Sequence, residues 1–170
     1  MKKIRKPLGL SLLAIFIIIQ FFHPVKNVGS TSAMPLNDIG NIYPVPPDIQ
    51  AILKTSCYDC HSNNTSYPWY SNIQPVAWWL NDHIQEGKRE LNFSAFASYR
   101  IRRQYKKMEE IIDQVKDDEM PLSSYTLIHR DARLDKEQKI SLQNWASAIR
   151  DTIKARYPAD SLIKKTTGVK

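Results

Sequence analysis

Cysteine is almost missing from this chain: two occur in 170 residues. No second cysteine pair exists to complete a zinc site, and no cysteine lies near the N-terminus, which excludes lipoprotein processing. Glycine is sparse, at five residues, and forms no phosphate-cradling loop. No stretch of any length alternates apolar and polar residues, and no internal repeat is present, so the pattern predicts an all-α domain. An excess of charge is also missing from the body of the chain. The formal charge is +7, but residues 44 to 157 hold 16 Lys+Arg against 15 Asp+Glu and stand at +1. A basic stripe for nucleic acid is therefore not supported. Arg100, Arg102, Arg103, Lys106 and Lys107 form one local cluster, read as a solvated helix face before a docking patch for an acidic partner.

What is present begins with Lys2, Lys3, Arg5 and Lys6, followed by an apolar run from Leu8 to Phe22 broken only by Gly9, Ser11 and Gln20. This is the layout of an export signal. The run is shorter than the ~20 residues that span a bilayer as a helix, which favours a cleaved signal peptide. Against cleavage, His23-Pro24-Val25-Lys26 offers no small-x-small site, and Val28-Gly29-Ser30 is a weak one. The reading adopted is an uncleaved anchor over residues 1 to 22 with a cytoplasmic N-terminus. Residues 23 to 47, with Pro24, Pro35, Pro44, Pro46 and Pro47, read as a Pro-rich linker without a core. A domain over residues 48 to 157 and a polar tail over 158 to 170 complete the division.

Both cysteines fall in Cys57-Tyr58-Asp59-Cys60-His61. Two thiols three apart with histidine directly after is the spacing of c-type haem attachment. The thiols can form thioethers with two vinyl groups on one porphyrin edge, and the turn between them carries His61 to the iron as proximal ligand. A redox-active Cys-x-x-Cys, half a zinc site and a plain disulfide are the competing readings. A redox pair has no use for the histidine and lacks a thioredoxin-like βαβ setting. Zinc would need His83, His129 or a carboxylate as its fourth ligand.

Pro47-Asp48 opens a helix whose Ile49, Ile52 and Leu53 share a face and which runs into Cys57. Tyr67, Pro68, Trp69 and Tyr70 follow in a turn-forming stretch, suited to covering a porphyrin face or to burying any apolar surface. A second helix starts at Pro75, with Val76, Trp79, Leu80, His83 and Ile84 as its buried stripe and its end near Gly87. His83 so placed is an ordinary core histidine before it is a ligand. A third helix follows Asn92-Phe93-Ser94 on the face of Ile101, Tyr105, Met108, Ile112 and Val115, where packing explains Met108. Asp117, Asp118 and Glu119 oppose the helix dipole at its end, so the chain exits at Met120-Pro121. The last helix has Asp135 as N-cap with Gln138 closing a capping box. Its stripe is Leu142, Trp145, Ala146, Ile149 and Ile153, ending at Tyr157-Pro158.

A six-coordinate electron-transfer haem needs a second axial ligand, and thioether sulfur raises the potential. Met120 lies outside the apolar stripes on a loop stiffened by Pro121 and is the candidate distal ligand, with a core methionine as the bland reading. His83 is the second candidate and His129 the third.

The order helix, Cys-x-x-Cys-His, Met-Pro and aromatic-bearing C-terminal helix resembles that of class I cytochromes c. More closely, Cys57 to Thr65, Tyr67-Pro68-Trp69-Tyr70, Trp78-Trp79, Glu86-Gly87, Leu91-Asn92-Phe93-Ser94, Glu119-Met120-Pro121 and Tyr125 to His129 resemble the bacterial haem-binding-domain family of small envelope proteins. The resemblance spans about residues 45 to 155. It implies a cytochrome c-like helical domain with an inserted Trp78-Trp79 segment and one haem c, held by Cys57, Cys60, His61 and Met120. The family's motifs specify haem binding more than a role; the role expected from motif, charge and N-terminal segment together is one-electron transfer on the periplasmic face of the inner membrane, with an unspecified redox partner protein, the membrane contacted through the N-terminal segment, and no nucleic acid. A haem-based sensor with an exchangeable distal ligand and a peroxidase-like enzyme are the alternatives.

Overall fold

The computed structural model describes residues 5–29 and 35–163, and among these every regular element is helical. The chain runs through α1 (Arg5–Ile19), α2 (Pro47–Ser56), α3 (Tyr58–His61), α4 (Val76–Glu90), α5 (Ile101–Lys116), α6 (Ser123–Ile128), α7 (Lys136–Arg156) and α8 (Ala159–Leu162), with short 3-10 turns between several of them. The all-α expectation holds.

α5 and α7 form the centre by packing side by side, with α2 laid against α7 and α8 closing over α5. The stripe of α7 is the one its periodicity predicts: Leu142, Trp145, Ala146, Ile149 and Ile153 are all buried. Its start is also as expected. Asp135 accepts from the Gln138 amide at 2.8 Å, and the Gln138 side chain accepts from the Asp135 amide at 3.0 Å, so two otherwise unpaired N–H groups at the helix start are satisfied together. α2 buries Ile49, Ile52 and Leu53 as predicted, and Met108 of α5 is fully buried.

Two faces are rotated from expectation. α4 buries Ala77, Leu80 and Ile84, leaving Val76 and Trp79 exposed and His83 half-buried, and it continues past Gly87 to Glu90. α5 buries Gln104, Lys107, Met108, Ile111 and Val115 in place of Tyr105 and Ile112. One residue is 100° of helix, so when small or amphipathic side chains flank the true stripe, neighbours decide which face is buried. Phe93–Ser98 forms a 3-10 turn ahead of α5. At the exit of α5, Asp118 takes φ 61°, and the Glu119 and Met120 amides both donate to the Gln114 carbonyl, at 2.9 and 3.1 Å. The helix thus stops where its misplaced acids require.

The Pro-rich stretch is not a slack linker. Ile39 is fully buried and Tyr43 nearly so; the Tyr43 hydroxyl donates to Gln104 at 2.8 Å, and the Trp145 indole N–H donates to the Pro44 carbonyl at 2.9 Å. Prolines reduce the entropy lost on ordering such a strap, so two isolated apolar anchors suffice where no periodic pattern exists to be read. Its composition, taken alone, suggested no core at all.

Candidate functional site

The site grows from the end of α2. The Cys57 amide donates to the Leu53 carbonyl at 3.0 Å, and the Cys57 carbonyl then accepts from Cys60 and His61 at 3.2 and 2.9 Å, winding α3 into a single turn that carries both thiols and the imidazole. The two spacer residues fasten that turn. The Tyr58 ring lies 5.5 Å from Phe93 at the core edge, while the Asp59 carboxylate accepts from the Ser66 amide at 2.8 Å and the Tyr125 hydroxyl at 2.7 Å. Burial, the Asp59 hydrogen bond and its charge raise Tyr125 well above the ordinary phenol range, so it stays a donor. The motif's spacing by itself assigns neither residue a role.

His61 is held from α4. Its Nδ1 faces the carbonyls of Gly87 at 2.9 Å and Leu91 at 3.0 Å, and two acceptors at one nitrogen assign the proton there. Burial lowers the imidazole pKa, and the Lys107 charge adds to this against the opposing carbonyl bonds. The ring is accordingly neutral, with Nε2 left as the ligating nitrogen; a committed Nδ1–H of this kind orients metal-bound histidine. Gly87 permits the approach: a Cβ there would lie 2.8 Å from the Cys60 carbonyl oxygen. Burial pushes the Cys57 thiol up to about 12 and the Cys60 thiol to about 11, each helped by a neighbouring acidic group, so both are protonated thiols and poor redox nucleophiles. Among the described residues no cluster of three or more His, Cys, Asp or Glu forms a metal cage.

Two adjoining cavities, of about 360 Å³ and about 310 Å³, share Ser56, Cys57, His61, Glu90, Met120 and Pro121 in their walls. The larger runs between α2, α5 and α7 over Leu53, Leu91, Phe93, Ile111, Val115, Leu134 and Leu142. The smaller adds Cys60, His83, Gly87, Leu122 and Tyr125. Met120 lines the same space as His61, on a loop whose Met120–Pro121 bond is cis. His83 also reaches this space. Its Nδ1 is committed to the Trp79 carbonyl at 2.9 Å and its ring lies 4.3 Å from that of Trp79, so it is a wall residue and not the core histidine its stripe suggested. His129 is elsewhere, bonded through Nε2 to the Tyr70 hydroxyl at 2.7 Å and stacked on Tyr125. Tyr67, Trp69 and Tyr70 line neither cavity.

Lys107 corrects the reading of the basic cluster as solvated. It is buried in the wall of the larger cavity, with Nζ 3.2 Å from Glu90 and 2.6 Å from Glu110. Burial raises the Glu110 carboxyl, but hydrogen bonds and charge from Lys107 and Lys106 outweigh it and leave the pKa lowered. Only the Lys107 to Glu110 spacing hinted at this; Glu90 arrives from α4.

Comparison with protein families now bears on the arrangement. The model of the Haem-binding domain family matches residues 14–148. The chain belongs to that family. No curated protein and no solved structure matches it. As a Haem-binding domain the chain takes haem as cofactor, and the match includes the strap with Ile39 and Tyr43 as well as the cavity walls. The residues fit that group: an apolar cleft in the size range of small-ligand sites, a neutral imidazole with Nε2 uncommitted, and two protonated thiols one turn from it.

Proposed function

We propose that this Haem-binding domain is a monohaem c-type cytochrome that carries single electrons. Its haem would be held by thioethers at Cys57 and Cys60, with His61 Nε2 and the Met120 sulfur as axial ligands. The observation that carries the proposal is the pair of carbonyls at His61 Nδ1, which fixes both tautomer and ring orientation within the wall that Met120 shares. When bound, the group supplies a one-electron iron couple; the chain supplies attachment, ligation and an apolar surround that sets the potential. Each thiol would add across one vinyl double bond, sulfur to one carbon and hydrogen to the other, with no net oxidation. The proposed setting is the bacterial envelope, at the periplasmic face of the inner membrane, with α1 as anchor. α1 is exposed from Leu8 to Ile18, yet no helix among the described residues is long and apolar enough by itself to cross a membrane.

His83 in the wall of the smaller cavity favours one second reading, a haem module whose distal position exchanges between Met120 and His83. A pyridine haemochrome assay on protein matured with c-type assembly machinery tests the attachment: the wild type should give a haem c spectrum, and Cys57→Ala with Cys60→Ala should leave haem that acid-acetone extracts. Extractable haem in the wild type would refute covalent attachment.

A further inference from the structure

The segment directly after α1 is bound to the domain at Gln20, Phe22, Lys26 and Asn27. The Gln74 amide donates to the Gln20 side chain at 2.9 Å, and the Phe22 carbonyl accepts both the Gln74 side chain at 2.7 Å and the Trp78 indole N–H at 2.9 Å. Lys26 donates to the Asn72 side chain at 2.9 Å. Asn27 is buried, donating to the Ser62 carbonyl and to Thr65 Oγ1 at 2.9 Å each while accepting from Lys88 at 2.6 Å. Gln74 is fully buried and Asn27 buried, so the bonds at these two residues are shielded from water, while the Lys26 and Trp78 bonds lie at the surface; together they fasten the segment to the domain. α1 therefore leaves the domain at a fixed point, and Trp78 of the inserted segment is part of what fixes it.

Around that point the surface is apolar and open. Trp69 is 77% exposed, Trp79 46%, Ile73 38% and Val76 37%, and Phe21 and Phe22 on the gripped segment are 80% and 62% exposed. Four of these six lie within three residues of Asn72, Gln74 or Trp78, the residues that grip the segment. We infer that this face rests in the headgroup and acyl boundary of the membrane that α1 enters. Tryptophan concentrates at that boundary because its ring is apolar and its N–H polar. Length supports the same occupant. Fifteen helical residues rise about 22 Å, against a hydrocarbon core of ~30 Å. A helix that short is accommodated when flanking residues sink into the interface, and a rigidly attached aromatic face several ångströms deep supplies that. The haem cleft then has one orientation to the bilayer instead of swinging on a tether.

The inference rests on the proposal that α1 is membrane-embedded, and the test separates the two. Full-length protein is reconstituted into phosphatidylcholine vesicles carrying bromine near the carbonyl end of one acyl chain, and its tryptophan emission is divided by that in unbrominated vesicles, which cancels any constant quenching by haem. Trp145 is buried in the core and serves as the silent reference. The ratio should fall well below one for the wild type and return towards one in the Trp69→Phe, Trp79→Phe double variant, with weaker quenching when bromine lies near the bilayer centre. Protein that sediments with the vesicles but shows a ratio of one keeps the anchor and overturns the contact face, as does a double variant quenched like the wild type. Protein that stays in the supernatant overturns both.

Discussion

Replacing Gly87 by alanine tests whether α4 and the haem-attachment turn are packed as closely as described. In an open helix interior the change stabilises by about 0.5–1 kcal/mol, because alanine restricts the unfolded backbone. Here the new Cβ would lie 2.8 Å from the Cys60 carbonyl oxygen and 3.1 Å from Cys60 Cβ, where ordinary contact begins near 3.4 Å. The nearest atom is a backbone oxygen and the next, Cys60 Cβ, cannot rotate away, so α3 and α4 must separate by roughly half an ångström, at the ~1–3 kcal/mol typical of overpacking. Separation also stretches the His61 Nδ1 bond to the Gly87 carbonyl, one of its two acceptors and worth about 0.5–1.5 kcal/mol. The net expectation is a loss of about 1–3 kcal/mol in urea unfolding, with nitrogen-15 imidazole shifts showing a weaker preference for the Nδ1–H tautomer. Gly9→Ala in α1, where a Cβ meets nothing within 4 Å, is the control and should not destabilise. A Gly87→Ala protein as stable as wild type with an unchanged tautomer would refute the packing argument.

Further outcomes follow from the same geometry. The His61 pKa is lowered in the folded chain, so the unfolded chain binds the proton first: in haem-free protein this contribution is complete above about pH 6.5 and is lost as pH falls below it, and His61→Gln should remove that slope from pH-dependent unfolding. Met120→Ala should leave covalent haem in place, open a coordination position and lower the potential in a spectroscopic titration. Met108→Ala should cost about 2–5 kcal/mol in denaturant unfolding without changing the spectrum. Asp135→Ala should cost about 1 kcal/mol by removing one half of the capping box, measured by thermal unfolding.

The elements legible in the sequence were those whose signals are local. The Asp135 and Gln138 pair marks the start of α7 whatever surrounds it, and the branched aliphatic stripe of α2 has only one apolar face to bury. The Cys57 to His61 motif and the Met120 loop were legible for the same reason, as spacings along the chain. What escaped depends on partners far away. Tyr43 is a core residue because Gln104 and Phe96 meet it, and nothing near position 43 says so. Lys107 looked solvated until Glu90 was brought to it by α4. The face of α4 was misplaced because the large side chains of Trp79 and Val76 drew the stripe towards them, while the small Ala77 is the residue that is buried.

The bond between the Trp145 indole and the Pro44 carbonyl closes a loop of 101 residues. A chain made N-terminus first at ~5–20 residues per second exposes Pro44 about 5–20 s before Trp145 exists. Through that interval Leu142 and the rest of α7 are also missing, so the wall over Cys57 is not yet built. The thiols raised to about 12 and 11 by burial in the finished fold are then ordinary ones near 8.5, with a larger thiolate fraction at neutral pH. Burial of the two thiols is thus a property of the completed fold: before α7 joins, they are exposed and ordinary, and afterwards they are shielded and protonated.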